Sequence, residues 1–259
     1  MILSKLKHAI PFDLHAIEES FLDTLRTQHV VLFGEIHGTK ECPAVFAAMV
    51  KALSSRRHVI VGLELPTSLK ASISLFMKNG DLDGLAEQPF FQQPALHTGR
   101  GSEAILHLLE ELRCLNNVAI LCFDTGSDGS RSRDTLMAEF LWKNLSSHHP
   151  LLVLSGNIHT RLSKGVPWNQ NFKTMGSELL CLSKGELHLA NTSSYLFRCS
   201  GYAWNCQRDA CGEHQIHLKR GYDNSPEAMY ILEETLSEND GHSHSFFLGK
   251  VRPSPPWKG

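Results

Sequence analysis

Two short segments of this chain repeat one arrangement of reactive side chains. Gly34-Glu35-Ile36-His37 and Gly156-Asn157-Ile158-His159 each close an apolar run and read glycine, polar residue, isoleucine, histidine. Residues two apart project to the same side of an extended chain, so Glu35 and His37 can reach one small volume. A carboxylate beside an imidazole fixes its tautomer and raises its basicity, as a general base that takes a proton from water requires. Gly34 and Gly38 permit a sharp exit from the strand. The bland alternative for one such segment is a histidine that only caps or packs at a strand end. Two of them favour a pair of imidazoles aimed into one cleft.

The elements that must position these residues are four apolar runs at 29–38, 58–66, 118–124 and 151–160. Each is short, rich in Val, Ile and Leu, and free of charge until its end, as a strand buried on both faces reads. Stretches of helical period separate them, which predicts a central, mostly parallel sheet flanked by helices and built from right-handed βαβ units. In such a sheet the closing residues collect along one edge, where α/β proteins place their sites. That edge carries Glu35, His37, Glu64, Asp124, Asn157 and His159. The catalytic candidates are His37, Glu35, Glu64 and His159. His37, Glu64 and His159 are also a ligand set that a divalent metal accepts. Neither histidine belongs to a compact pair such as H-E-x-x-H, which favours the metal-free alternative.

Arg100, Arg133 and Asn157 are the candidate substrate-binding groups. Arg100 lies in Gly99-Arg100-Gly101-Ser102 before an expected helix start, where backbone N–H groups favour an anion; the alternative is an exposed loop arginine. Arg131, Arg133 and Asp134 follow the third strand and should sit near the same edge, with Asp134 read as a helix N-cap. Cys199, Cys206, Cys211 and His214 are donors that zinc accepts, yet they lack tight C-x-x-C pairs, so unliganded thiols are the expectation. His242 and His244 read as solvated.

Composition narrows the classes. The 259 residues are 42% hydrophobic and 20% charged, enough for a buried core. A net charge of −2 and the lack of a basic stripe exclude general attraction to nucleic acid or anionic lipid. No stretch approaches a membrane span, and the first sixteen residues lack the apolar core of a secretory signal. Seven cysteines fit a reducing compartment better than a disulfide framework, so a cytoplasmic location is expected. Cys42, Cys114, Cys122 and Cys181 read as small hydrophobes within or beside apolar runs.

Along the chain, Ile17, Phe21, Leu22 and Leu25 predict an N-terminal amphipathic segment within residues 1–28. Further helices are expected after Pro43, from Ser68 to Met77, from Ser102, from about Asp134, and over 225–236. Residues 79–101, with Phe90, Phe91, His97 and Arg100, read as a loop or lid, 125–133 as a flexible loop and 164–177 as a polar loop. SELLCLS at 177–183 reads as a short strand, 188–224 as an irregular Cys-containing subregion, and 246–251 as an edge strand. No domain boundary is evident, so residues 1–259 are read as one α/β domain.

The pieces FGEIHGTKECP, GLELP, GRGSEAILHLLEELR, RDTLMAEFLW and LSGNIHT, in this order, resemble the erythromycin esterase/ChaN-like superfamily, which includes the Tiki and TraB proteins. The resemblance covers most of residues 30–160. It implies an α/β fold whose cleft is lined by a first histidine segment, a strand-end glutamate and a second histidine segment. By resemblance to the esterases, His37 is the base that activates water on an ester- or amide-type bond of a small-molecule or peptide substrate. Resemblance to Tiki-like members implies metal-dependent hydrolysis through His37, Glu64 and His159. Resemblance to ChaN-like members implies haem binding by the same histidines. The chain departs from the esterases in having one fewer residue between Glu35 and His37, which argues against their macrolide substrate.

Overall fold

The computed structural model describes residues 6–10, 22–23, 25–26, 28–93, 98–183, 192–207, 210–217, 229–232 and 241–257, with backbone alone for 6–10 and 229–232. The four apolar runs form strands β2 (Val30–Glu35), β3 (Val59–Pro66), β4 (Val118–Asp124) and β5 (Leu151–Gly156). They join β1 (Leu6–Ile10), β6 (Thr192–Gln207), β7 (Ala210–Ile216), β8 (Met229–Leu232) and β9 (His244–Val251) in one nine-stranded sheet. Its order is β1-β8-β9-β6-β2-β5-β3-β4, with β7 paired to β6. The pairs from β9 across to β4 are parallel, while β1–β8, β8–β9 and β6–β7 are antiparallel. The fold is therefore α/β with a mostly parallel sheet.

Alternation along β2 sends Val31 and Phe33 to one face and Val30 and Leu32 to the other, each into a buried cluster. The first face is covered by α1 (Glu41–Ser54), a 3-10 turn at Thr67–Leu69, α2 (Lys70–Asn79), α3 (Leu82–Ala86), α4 (Pro89–Gln92) and α5 (Glu103–Arg113). The second is covered by α6 (Arg133–Lys143) and α7 (Met175–Ser183). A strand with both faces buried has no place for charge before its end. The polar residues therefore emerge only at the C-terminal edge.

Several expectations are corrected. Residues 177–183 are helical, because Thr174 caps that helix by accepting from the Ser177 N–H at 3.2 Å and Asp134 accepts from the Met175 N–H at 2.8 Å. A short apolar run does not reveal its period, and the cap decides. The described part of 188–224 is ordered strand, β6 and β7. The described part of 225–236 is β8, a strand rather than a helix. The segment 246–251 belongs to β9, which lies inside the sheet between β6 and β8 instead of at its edge. Ser102 sits at the start of α5, but its hydroxyl makes no cap bond; Ser254 from the C-terminal segment accepts from the Ala104 N–H at 2.9 Å. Within 79–101, α3 and α4 occupy part of the expected lid.

Cys206 and Cys211, expected as thiols, face each other across β6–β7 and form a disulfide. Cys42, Cys122 and Cys199 are buried, whereas Cys114 and Cys181 are exposed rather than packed. His242 is buried, not solvated; its Nε2 lies 3.2 Å from Thr160 Oγ1 and 3.1 Å from the Asn157 carbonyl. Among the described residues no helix is long and apolar enough to cross a membrane. Leu22 and Leu25 are buried in helical residues as expected, while Ile17, Phe21 and His97 lie outside the described residues.

Candidate active site

Strand register assembles the site. Strand β5 lies between β2 and β3, with Glu35 opposite Gly156 and Leu63 opposite Leu154. The next residue of β3, Glu64, therefore meets the end of β5. Its Oε2 accepts from the Ser155 hydroxyl at 2.5 Å and from the Gly156 N–H at 2.8 Å. Glu35, at the end of β2, lies 2.9 Å through Oε1 from His37 Nδ1. His37 Nε2 then stands 3.5 Å from Glu64 Oε2, so the imidazole bridges the two carboxyl groups. Gly156 makes room for it: a Cβ there would lie 2.8 Å from His37 Nε2.

His159 occupies the other side of Glu64, 3.8 Å from Oε1. The turn after β5, with the His159 N–H on the Gly156 carbonyl at 2.9 Å, carries it there. Its Nδ1 is 2.8 Å from Asp134 Oδ1, and its Nε2 is 3.1 Å from Arg133 Nη1. A guanidinium only donates, so Nε2 accepts and the ring proton on Nδ1 goes to Asp134. Asp134 thus orients His159 and is not the N-cap of α6; Ser132 caps it, accepting from the Thr135 N–H at 3.1 Å.

Arg133 ties the cluster together. It donates to Glu64 Oε1 at 2.5 Å and to both Asp124 oxygens at 2.8 and 2.9 Å. Arg100 donates to Asp124 Oδ2 at 2.5 Å, lies 3.5 Å from Glu64 Oε1, and stacks over Phe90 at 5.7 Å. Both arginines therefore face the site's own carboxyl groups. Asn157 receives its backbone bond position from Glu35, whose carbonyl accepts the Asn157 N–H at 2.9 Å.

The electrostatics follow from this crowding. Burial pushes His37 down, but the charge of Glu64 and hydrogen bonds to Glu35 and Glu64 outweigh it and raise the imidazole to about 9. Burial pushes Glu64 up, yet the nearby imidazoles of His159 and His37 and the Arg133 guanidinium hold it well below the usual carboxylate range. Asp124 is also held low: Arg133 and Arg100 overcome its burial. A cavity of 10 Å³, lined by Glu35, His37, Glu64 and Arg100 among apolar side chains, opens at this point. That is about the room one water needs. Glu35 Oε2 is buried with no hydrogen-bond partner among the described residues.

A divalent cation fits this donor set poorly. Arg133 places one nitrogen on Glu64 and another on His159 Nε2, the very atoms that would ligate, so a metal would have to expel the guanidinium. Among the described residues no group of three or more His, Cys, Asp or Glu side chains is arranged to hold a metal. Haem iron would need a ring nitrogen directed at it, and those of His37 and His159 are turned to Glu35, Glu64, Asp134 and Arg133.

The sequence pattern located Glu35, His37, Glu64, Asp124 and His159, and the fold brings all five together. It missed the role of Asp134, whose signal is its place directly after Arg133 at the start of α6. No family model and no curated protein matches the sequence. Solved structures do. A succinoglycan biosynthesis protein is similar at 10% identity and TM-score 0.69, over 99% of this chain and 97% of that one. An erythromycin esterase mutant, EreC in its open conformation, is similar at 10% identity and TM-score 0.56, over 95% and 98%. ChaN of Campylobacter jejuni, described with cofacial haem binding, is similar at 11% identity and TM-score 0.50, over 74% and 91%. The chain has the erythromycin esterase/ChaN-like fold.

Proposed function

We propose that the protein is a hydrolase that activates water with His37 and acts on an ester- or amide-type bond of a small molecule or peptide. The observation that carries this reading is the water-sized cavity beside the Glu35–His37 pair, with a second Glu35 oxygen that has no partner among the described residues. Glu35 holds the His37 Nδ1 side, leaving Nε2 toward the cavity region and Glu64. A water there loses its proton to His37 as its oxygen attacks the carbonyl carbon; collapse of the adduct then breaks the ester or amide bond, and His37 returns the proton to the departing alkoxide or amine. Arg100 lines the same cavity, and its positive charge favours the developing oxyanion. Glu64 and His159, locked by Arg133 and Asp134, keep the imidazole in place and offer a second acid–base pair. Asn157, the third candidate substrate-binding residue, lines a separate cleft on the same sheet edge.

The fold is shared with an erythromycin esterase and with a haem-binding ChaN, so fold alone does not choose between them. The engagement of both imidazoles favours hydrolysis over haem or metal ligation, and the site needs no metal for the steps above. The test is His37→Ala assayed on a panel of activated esters and amides. Turnover should fall by roughly two to four orders of magnitude with the circular dichroism spectrum intact. Unchanged turnover in that variant rejects the role.

A further inference from the structure

The last strand of the sheet, β4, is paired on one side only: β3 is its neighbour, and among the described residues no strand joins its other side. One bond fixes which of its backbone groups are left over. The Val59 N–H donates to the Asn117 carbonyl at 2.8 Å. Successive residues of a strand turn their N–H and C=O groups to opposite sides, so Asn117, Ala119 and Leu121 address β3. Val118, Ile120 and Cys122 turn theirs outward. Natural edges are guarded by charge, proline or a bulge. The stretch Val118–Phe123 holds no charge and no proline, and residues 118–121 are only half-buried.

The side chains of the three outward residues share one face. With Ile73 and Met77 of α2 they line a groove of 280 Å³ along the edge. Lys70 and Lys78, both exposed, stand on the same groove, and among the described residues no carboxyl group lines it. Burial pushes the Cys122 thiol up to about 12 and the Lys70 charge opposes that, so Lys70 belongs to the Cys122 end. Lys78 lies two helical turns further on, about 12 Å along α2. Four residues of an extended strand span about 13 Å. The two lysines therefore match acidic side chains four residues apart on an added strand.

We infer that β4 is a docking edge for an extended segment of a partner protein, with an acidic, an apolar and a second acidic residue at alternate positions. The segment adds a strand through the backbone groups of Val118, Ile120 and Cys122. Its apolar side chain enters the groove beside Ile73 and Met77, and its carboxylates meet Lys70 and Lys78. The same charges argue against a second copy of this chain as the occupant. Antiparallel pairing of two β4 strands about Ile120 brings Lys70 of each copy toward Lys78 of the other, and like charges set together oppose association. The inference does not depend on the hydrolytic reading.

The full chain is titrated with a seven-residue peptide, its ends blocked, that has valine at the centre, glutamate two residues to either side and threonine elsewhere. Amide hydrogen exchange is followed by NMR. In the free protein the Val118 and Ile120 amides should exchange faster than those of Ala119 and Leu121, and the peptide should slow the outward set selectively. A peptide with lysine in place of both glutamates should not bind, and binding of the first should weaken as salt rises. Lys70→Glu combined with Lys78→Glu, at exposed positions that do not threaten the fold, should weaken the glutamate peptide about ten-fold and admit the lysine peptide. Ile120→Pro removes one outward N–H without touching the bonds to β3, and should cost most of the binding. Equal binding of the two peptides, or no slowing of the outward amides at millimolar peptide, overturns the inference. So does a wild-type chain that light scattering shows to be a dimer and that Ile120→Pro makes a monomer, because a second copy then takes the edge.

Discussion

His37 lies between two carboxyl groups, and that position dictates how its chemistry depends on pH. Raised to about 9, the imidazole is protonated at neutrality and cannot take a proton until it has lost one. We expect kcat/KM to climb with pH along a limb whose apparent pKa is near 9. Glu35→Gln removes a group that raises His37, so the limb should move to lower pH. A profile flat from pH 6 to 10 would show that His37 does not titrate in the rate. Stability carries the same sign. A group raised on folding stabilises fully below its ordinary value of 6.5, and the contribution is lost as pH rises through about 9. The site's residue types were legible because closing an apolar strand with Glu35, His37 or Glu64 leaves a mark in the local pattern. Their partners were not, since Glu64 with Arg133 and His159 with Asp134 pair across strands and helices. Arg100 and Arg133, read as substrate clamps, also bind the carboxyl groups of the site itself, contacts that no local pattern marks.

At the scale of elements, the β6–β7 hairpin bears directly on the turn that carries His37. The Trp204 N–H donates to the Gly38 carbonyl at 2.8 Å, and the Ser254 N–H donates to the same oxygen at 2.8 Å. Gly38 has φ of +79°, and a Cβ on it would lie 1.8 Å from the Trp204 carbonyl oxygen. Gly38→Ala must therefore push the hairpin away or twist the turn that holds His37. The left-handed backbone alone costs about 1–2 kcal/mol, and the clash adds to it. A clear fall in melting temperature and a loss of activity are expected by calorimetry and assay; an unperturbed variant would mean that the hairpin yields freely. The strands β2 to β5 were legible since a run buried on both faces cannot carry charge. The helix at Met175–Ser183 and the strand at Met229–Leu232 were not, because short segments take their structure from a distant cap or a neighbouring strand.

For the whole molecule, the decisive device is that one sheet edge gathers Glu35, Glu64 and Asp124, with Asp134 beside them at the start of α6, and the protein's own cations answer them. Arg133 and Arg100 approach from outside the sheet's core, one from the start of α6 and one from the loop before α5, and occupy the space a cation would take. Were protein charge to stand in place of a metal, the consequence would be measurable. Chelation of the wild-type protein should change neither melting temperature nor activity, whereas a resident metal would protect the fold by mass action. Arg133→Met should behave very differently. It leaves Glu64 and Asp124, both nearly buried, with Arg100 alone of the two guanidiniums they share, a loss of up to about 3–5 kcal/mol for a broken buried pair. In a chain of this size that corresponds to a fall in melting temperature on the order of 10 °C. The fall should be smaller at acidic pH, where protonation of the released carboxyl groups removes their mutual repulsion. Scanning calorimetry of both proteins with and without EDTA reads all of this. A wild-type melting temperature that drops on chelation would show that a metal, rather than Arg133, balances the edge.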